Sequence, residues 1–151
     1  MADVLIASDA PWVVDAIRAC LDEASTVRVV HAGVDVRPAV AARTPDLVVV
    51  DLQVGNMGGM AVCMDLRLEE SAGRLDDVPV LMLLDRRPDV FMAKRAGADG
   101  WLLKPVDPIR MRRAVQALLA GGVYHDDTGT PATSPAAEAL AAAGGGDTEV
   151  E

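Results

Sequence analysis

Five short apolar runs, at 4–7, 27–31, 47–50, 78–84 and 100–103, alternate with segments whose apolar residues recur at helical spacing. This alternation restricts the fold more than any other feature of the 151-residue chain. The runs are nearly continuous in Val, Ile and Leu, the pattern of strands covered on both faces. Between them, Val13, Ile17, Cys20 and Leu21 mark one helix, and Met111, Val115, Leu118 and Leu119 line one side of the last. The punctuation agrees. Pro11 sits where a first-turn proline is tolerated. Asp35 is placed to cap a short helix reaching Arg43, and Gly97 stops a helix over 89–96. A glycine-bearing loop at 53–59 leads into a helix over 60–70, and Asp107-Pro108 opens the final one. Strict alternation of this kind predicts an α/β domain, a doubly wound five-stranded parallel sheet with helices on both faces.

The pattern stops at Val123. Residues 124–151 hold mainly Gly, Ala, Thr, Pro and acids, with Leu140 and Val150 the only large aliphatics. That composition buries too little apolar surface to offset ordering, so the chain divides into a domain over 1–123 and a disordered tail over 124–151. Net charge is −9, unevenly spread: residues 84–113 carry eight bases against four acids, whereas 114–151 carry six acids and no base. The acid excess argues against binding nucleic acid through bulk charge, and the acidic tail has a basic stretch to fold back on. Cys20 and Cys63 fit neither a disulfide framework nor a zinc ligand set and read as small hydrophobes. No run approaches the roughly 20 apolar residues of a membrane span. No basic region precedes the first apolar stretch, as it would in a secretory signal. The expected setting is cytoplasmic.

Doubly wound sheets carry their functional groups at the carboxyl ends of the strands. Asp9 follows the first run, Asp51 ends the third and Lys104 follows the fifth. Two carboxylates in one crevice suit a hard cation such as Mg²⁺. A lysine opposite them can neutralise a transferred phosphoryl group, and a carboxylate is itself a competent phosphoryl acceptor. Singly, each residue reads as a cap or a solvated charge; the three together point to phosphoryl chemistry. An aspartyl-nucleophile phosphohydrolase of the haloacid-dehalogenase type would need a second Asp where this chain has Gln53. No glycine-rich dinucleotide fingerprint follows the first strand. His31 and His125 are isolated and expected to be neither catalytic nor metal-binding, and Trp12, three residues after Asp9, is expected to pack rather than to shield the pocket rim.

The segments Asp46-Leu-Val-Val-Val-Asp51, Gly58-Gly59, Pro79-Val-Leu-Met, Ala96-Gly-Ala-Asp-Gly100 and Lys104-Pro105 carry a resemblance. Over residues 3–121 the chain resembles the receiver domain of two-component response regulators. The resemblance implies a flavodoxin-like (βα)5 sandwich that works as a signalling module, not an enzyme. It implies that Asp51 is phosphorylated by a histidine kinase or phosphotransfer protein, and that Mg²⁺ is held by Asp9, Asp51 and the Gln53 carbonyl. It further implies that Lys104 contacts the phosphoryl group, that the bond before Pro105 is cis, and that Trp101 is the switch aromatic. The basic stretch, from Arg86 to Arg113, falls on the fourth and fifth helices, the face through which such domains signal to a downstream protein; a homodimer is left open. No helix-turn-helix follows, so direct DNA binding is not expected.

Three positions depart from the resembled pattern. Ser8 stands where the family has a first acid, which implies weaker Mg²⁺ binding. Leu84 stands where the family has a hydroxyl for the phosphoryl oxygen, and Asp85 beside it would repel that group. Gly55 replaces a loop proline, which implies a looser loop after Asp51. The expectation is therefore a stand-alone receiver with weakened coupling to shape. The alternative is a pseudo-receiver that interacts without phosphorylation.

Overall fold

The computed structural model describes residues 1–126 of the chain. Six strands form one sheet: β1 (Asp3–Ala7), β2 (Thr26–Val30), β3 (Leu47–Asp51), β4 (Val80–Leu84), β5 (Gly100–Leu103) and β6 (Tyr124–His125). Their order is β2-β1-β3-β4-β5-β6, and every neighbouring pair is parallel. The connecting helices are α1 (Pro11–Arg18), α2 (Val36–Ala42), α3 (Gly59–Ser71), α4 (Asp89–Ala96) and α5 (Pro108–Leu119). The doubly wound architecture is as the apolar runs predicted, with one short strand more.

Period-two alternation along each strand divides the core into two layers. Leu5, Ala7, Val48, Val50, Val80, Met82, Leu84, Trp101 and Leu103 pack with residues of α2, α3 and α4. Val4, Ile6, Leu47, Val49, Leu81, Leu83 and Leu102 pack with residues of α1 and α5. β3 and β4 are buried at every position, so their backbone groups can be satisfied only by neighbouring strands. Leu84 lies wholly in this apolar layer.

Helix ends follow local chemistry, with two departures. Asp107 caps α5 by accepting the Arg110 amide at 2.8 Å, and Gly97 ends α4 with φ at +89°. Asp35 precedes α2 without a side-chain cap, because a 3-10 turn at Gly33–Asp35 carries the chain into the helix instead. α1 stops at Arg18, so Cys20 and Leu21 pack against the core from beyond it. The boundary after Val123 also moves: Tyr124 and His125 form β6, and Asp126 is buried. Cross-strand pairing and a buried ion pair there supply what apolar side chains do not. Residues 127–151, the rest of the expected tail, lie outside the described residues.

The loop after Asp51 is pinned, contrary to the looseness expected from Gly55. The Gly55 carbonyl accepts the Gly33 amide at 2.8 Å, the Asn56 carbonyl accepts the Val34 amide at 3.0 Å, and Ala32 bridges Gly55. A Cβ on Gly33 would lie 1.9 Å from the Met57 carbonyl oxygen, so only glycine permits this approach. Gly33→Ala is expected to cost roughly 1–3 kcal/mol, the usual penalty for overpacking. A lower urea midpoint at unchanged slope checks this; an unchanged midpoint would show that the brace yields freely.

Candidate functional site

The carboxyl ends of β1, β3, β4 and β5 converge on one cluster of polar side chains. Asp51 closes β3 and is 5% exposed. A carboxylate this deep needs donors, and four reach it or its partners. Lys104 Nζ donates to Asp51 Oδ1 at 2.6 Å, and the Gln53 amide donates to the same oxygen at 3.1 Å. Ser8 Oγ, itself 1% exposed, donates to Asp51 Oδ2 at 3.1 Å and accepts the Ala10 amide at 3.0 Å. The Lys104–Pro105 peptide is cis.

Asp85 joins this cluster rather than standing off from it. Leu84 and Leu103 are register partners, so the next residue of each strand, Asp85 and Lys104, meet at the sheet's end. Lys104 Nζ donates to Asp85 Oδ1 at 3.0 Å, and Gln53 Nε2 donates to Asp85 Oδ2 at 2.5 Å. One ammonium therefore bridges two carboxylates. Burial by itself lowers the Lys104 pKa, but hydrogen bonds and charge from Asp51 and Asp85 outweigh it and hold the group above its ordinary value. For Asp85 burial pushes upward, and the Gln53 and Lys104 contacts outweigh it, leaving the carboxyl below its usual range.

Asp9 sits at the rim with its side chain exposed, and His31 Nδ1 lies 3.7 Å from Asp9 Oδ1. A cleft of about 320 Å³ lined by Ser8, Asp9, Val14, Asp15 and His31 opens beside it. Asp9, Asp51 and the Gln53 carbonyl offer only oxygen donors, and Mg²⁺ is commonly held by one or two carboxylates with waters completing the shell. The donor set fits that ion. Trp12 is 44% exposed, and Trp101 is buried at 1% with its ring stacked on His125.

Sequence reasoning singled out Asp9, Asp51, Gln53, Lys104, Ser8 and Asp85, and the structure brings all of these but Asp9 into a single hydrogen-bonded cluster. It did not foresee that Ser8 bonds Asp51 directly, that the Gln53 side chain holds Asp85, or that His31 approaches Asp9. The Asp85–Lys104 pairing was recoverable, since aligned ends of adjacent parallel strands put those residues opposite each other. Of the basic stretch, Arg110 is engaged within the fold by Asp107, Asp126 and the Pro105 carbonyl.

A parallel α/β sheet with an acid ending its third strand and a lysine following its fifth defines a recognisable class. The chain belongs to the response regulator receiver domain family, whose model matches residues 4–116. It is 34% identical over 122 residues to the DNA-binding dual master transcriptional regulator RpaA of Synechocystis, covering 79% of this chain and 49% of that protein. It is 32% identical over 127 residues to the response regulator MprA of Mycobacterium ulcerans, covering 82% and 53%. The chain thus spans about half the length of these curated relatives. Among solved structures, a putative response regulator from Chloroflexus aurantiacus shares the fold at TM-score 0.69 and 24% identity, covering 79% of this chain and 98% of that one. The chemotaxis response regulator CheY4 of Vibrio cholerae does so at 0.67 and 23%, covering 78% and 98%. Receiver domains are signalling modules of two-component systems. Among the described residues no helix is long and apolar enough to cross a membrane.

Because the Lys104 pKa is raised in the fold, its contribution to stability is full below the unfolded value of about 10.4 and is lost as pH rises through the folded value. Asp85→Ala removes one of the two supporting carboxylates, so the Lys104 titration midpoint should fall. NMR titration of the lysine side chain reads this, and an unmoved midpoint would show that Asp85 does not hold Lys104 in solution.

Proposed function

We propose that Asp51 accepts a phosphoryl group from a histidine kinase or phosphotransfer protein within a two-component relay. The observation that supports this most is the Asp51 carboxylate at the end of a fully buried strand, held by Lys104. An Asp51 oxygen attacks phosphorus in line. The new Asp51 O–P bond forms as the bond from phosphorus to the donor breaks, and the donor leaves with that electron pair. Lys104 stays on the acceptor side and balances the added charge, while Ser8 and the Gln53 amide orient the carboxylate. Mg²⁺, when bound by Asp9, Asp51 and the Gln53 carbonyl, supplies further neutralisation of phosphoryl oxygens. Ser8 adds no charge to that set, so affinity for the ion is expected to be weaker than with two acids there.

Asp85 works against this transfer in two ways. It occupies a share of Lys104, and it places a second negative charge beside the incoming group. Leu84 offers no hydroxyl to draw toward a phosphoryl oxygen, which removes one link between phosphorylation and Trp101, the proposed switch aromatic. These same contacts favour a second reading, a receiver that holds its signalling shape without phosphate because Asp85 already satisfies Lys104. The excess of acids continues to argue against direct contact with nucleic acid by this segment.

Intact mass after incubation with acetyl phosphate and Mg²⁺ separates the readings. The first expects one phosphoryl gain in the wild type and none in Asp51→Asn; unchanged modification of that variant would unseat Asp51 as acceptor. Asp85→Ala should speed the gain roughly fivefold, corresponding to about 1 kcal/mol for relief of one like charge in a wet cleft. No gain in either wild type or Asp85→Ala, both folded, would favour the phosphate-independent reading.

A further inference from the structure

The parallel register that pairs Ala7 with Val30 brings the next residues, Ser8 and His31, side by side at the carboxyl end of the sheet. The Ser8 amide donates to the Val30 carbonyl at 3.2 Å and the Gly33 amide to the Gly55 carbonyl at 2.8 Å, so the backbone on either side of His31 is held. His31 Nδ1 lies 3.2 Å from the Ser8 carbonyl oxygen and 3.7 Å from Asp9 Oδ1. The other Asp9 oxygen, Oδ2, faces the loop after β3, where a Cβ on Gly55 would stand 3.8 Å from it. One carboxylate thus presents an oxygen to each side, one toward that loop and one toward the imidazole. The cleft of about 320 Å³ opens on the imidazole side, and Asp15 of α1 lines it with Asp9 and His31.

With its proton on Nδ1, the ring donates to the Ser8 carbonyl. With the proton on Nε2, the Nδ1 lone pair meets two oxygens and no hydrogen lies between them. A cation satisfies that second arrangement, and the spacing suits one. Ligand atoms about 2.0–2.2 Å from a metal ion, at tetrahedral or octahedral angles, stand roughly 3–3.5 Å from each other. Nδ1 and the Ser8 carbonyl oxygen already do, and the longer Asp9 contact joins two exposed side chains with room to close. An imidazole nitrogen also changes which ion is preferred: Mg²⁺ is held by oxygen donors and waters, whereas imidazole suits ions such as Zn²⁺ and Ni²⁺. We propose that His31 Nδ1, Asp9 Oδ1 and the Ser8 carbonyl form a binding site for a divalent transition cation, on the side of Asp9 that faces away from the loop after β3. Among the described residues no three His, Cys, Asp or Glu side chains form a metal-holding group. The shell is therefore two side chains and one carbonyl, completed by water from the open cleft. Asp15 adds a second negative charge to that cleft. In the sequence His31 stands alone, and only the β1–β2 register gives it oxygen partners.

The test titrates Zn²⁺ alone into the full, untagged chain, stripped of metal beforehand, by isothermal titration calorimetry. The wild type should bind one equivalent. His31→Ala should weaken that binding at least tenfold, and so should His31→Gln, which keeps a polar group beside the Ser8 carbonyl but no imidazole. Asp51→Asn and His125→Ala should leave Zn²⁺ affinity within about twofold of wild type. Long-range proton–nitrogen NMR supplies a second readout: Zn²⁺ should shift the His31 Nδ1 signal and leave the His125 ring signals in place. Equal affinity in wild type and both His31 variants, or an unmoved His31 Nδ1 signal at saturation, would overturn the proposal. A tenfold loss in Asp51→Asn would do so too, by placing the ion in the oxygen-only set. The outcome is independent of phosphoryl transfer to Asp51, because only Zn²⁺ binding is read.

Discussion

A carboxylate at the end of a strand buried on both faces has to find cationic and hydrogen-bonding partners inside the protein, and at Asp51 the chief partner is Lys104. That contact spans from β3 to the residue following β5, passing over the end of β4. It therefore depends on three strands being in register at their carboxyl ends, and the parallel ladder provides this by aligning Asp51 with Leu83 and Leu84 with Leu103. Losing one partner of such a pair leaves an uncompensated charge, so the site depends on the register that the sheet sets.

The same geometry explains how a residue that sequence reasoning treated as a repulsive intruder becomes part of the site. Asp85 follows β4 as Lys104 follows β5, and Lys104 has donors for two acceptors. Gln53, contributed by the loop after β3, takes the other Asp85 oxygen. The result is a cluster with more acid than base, held together by its own hydrogen bonds and ion pairs. It is suited to receive a cation and to resist an anion, and that balance separates the two functional readings.

Much of the fold was legible because buried parallel strands require unbroken apolar runs. The bounds of α4 and β5 are those expected from Asp89, Gly97 and Gly100. β6 was not legible, since Tyr124 and His125 sit in a segment poor in aliphatics and are held by pairing with β5 and by the Asp126–Arg110 contact. The pinning of Gly55 was hidden for a similar reason. It depends on residues 32–34, more than twenty positions away, supplying amides to that loop.

By itself, then, the sequence determined the strand and helix alternation, the two-sided burial of the sheet, and the placement of Asp9, Asp51 and Lys104 at strand ends. These follow from local rules of periodicity, capping and strand direction. Only the tertiary structure decided that Ser8 donates to Asp51, that Gln53 and Lys104 share Asp85, and that His125 closes over Trp101. Each of these is a contact between side chains far apart in the chain. Strand register and loop path set such distances to within an ångström, and no local pattern of residues encodes them.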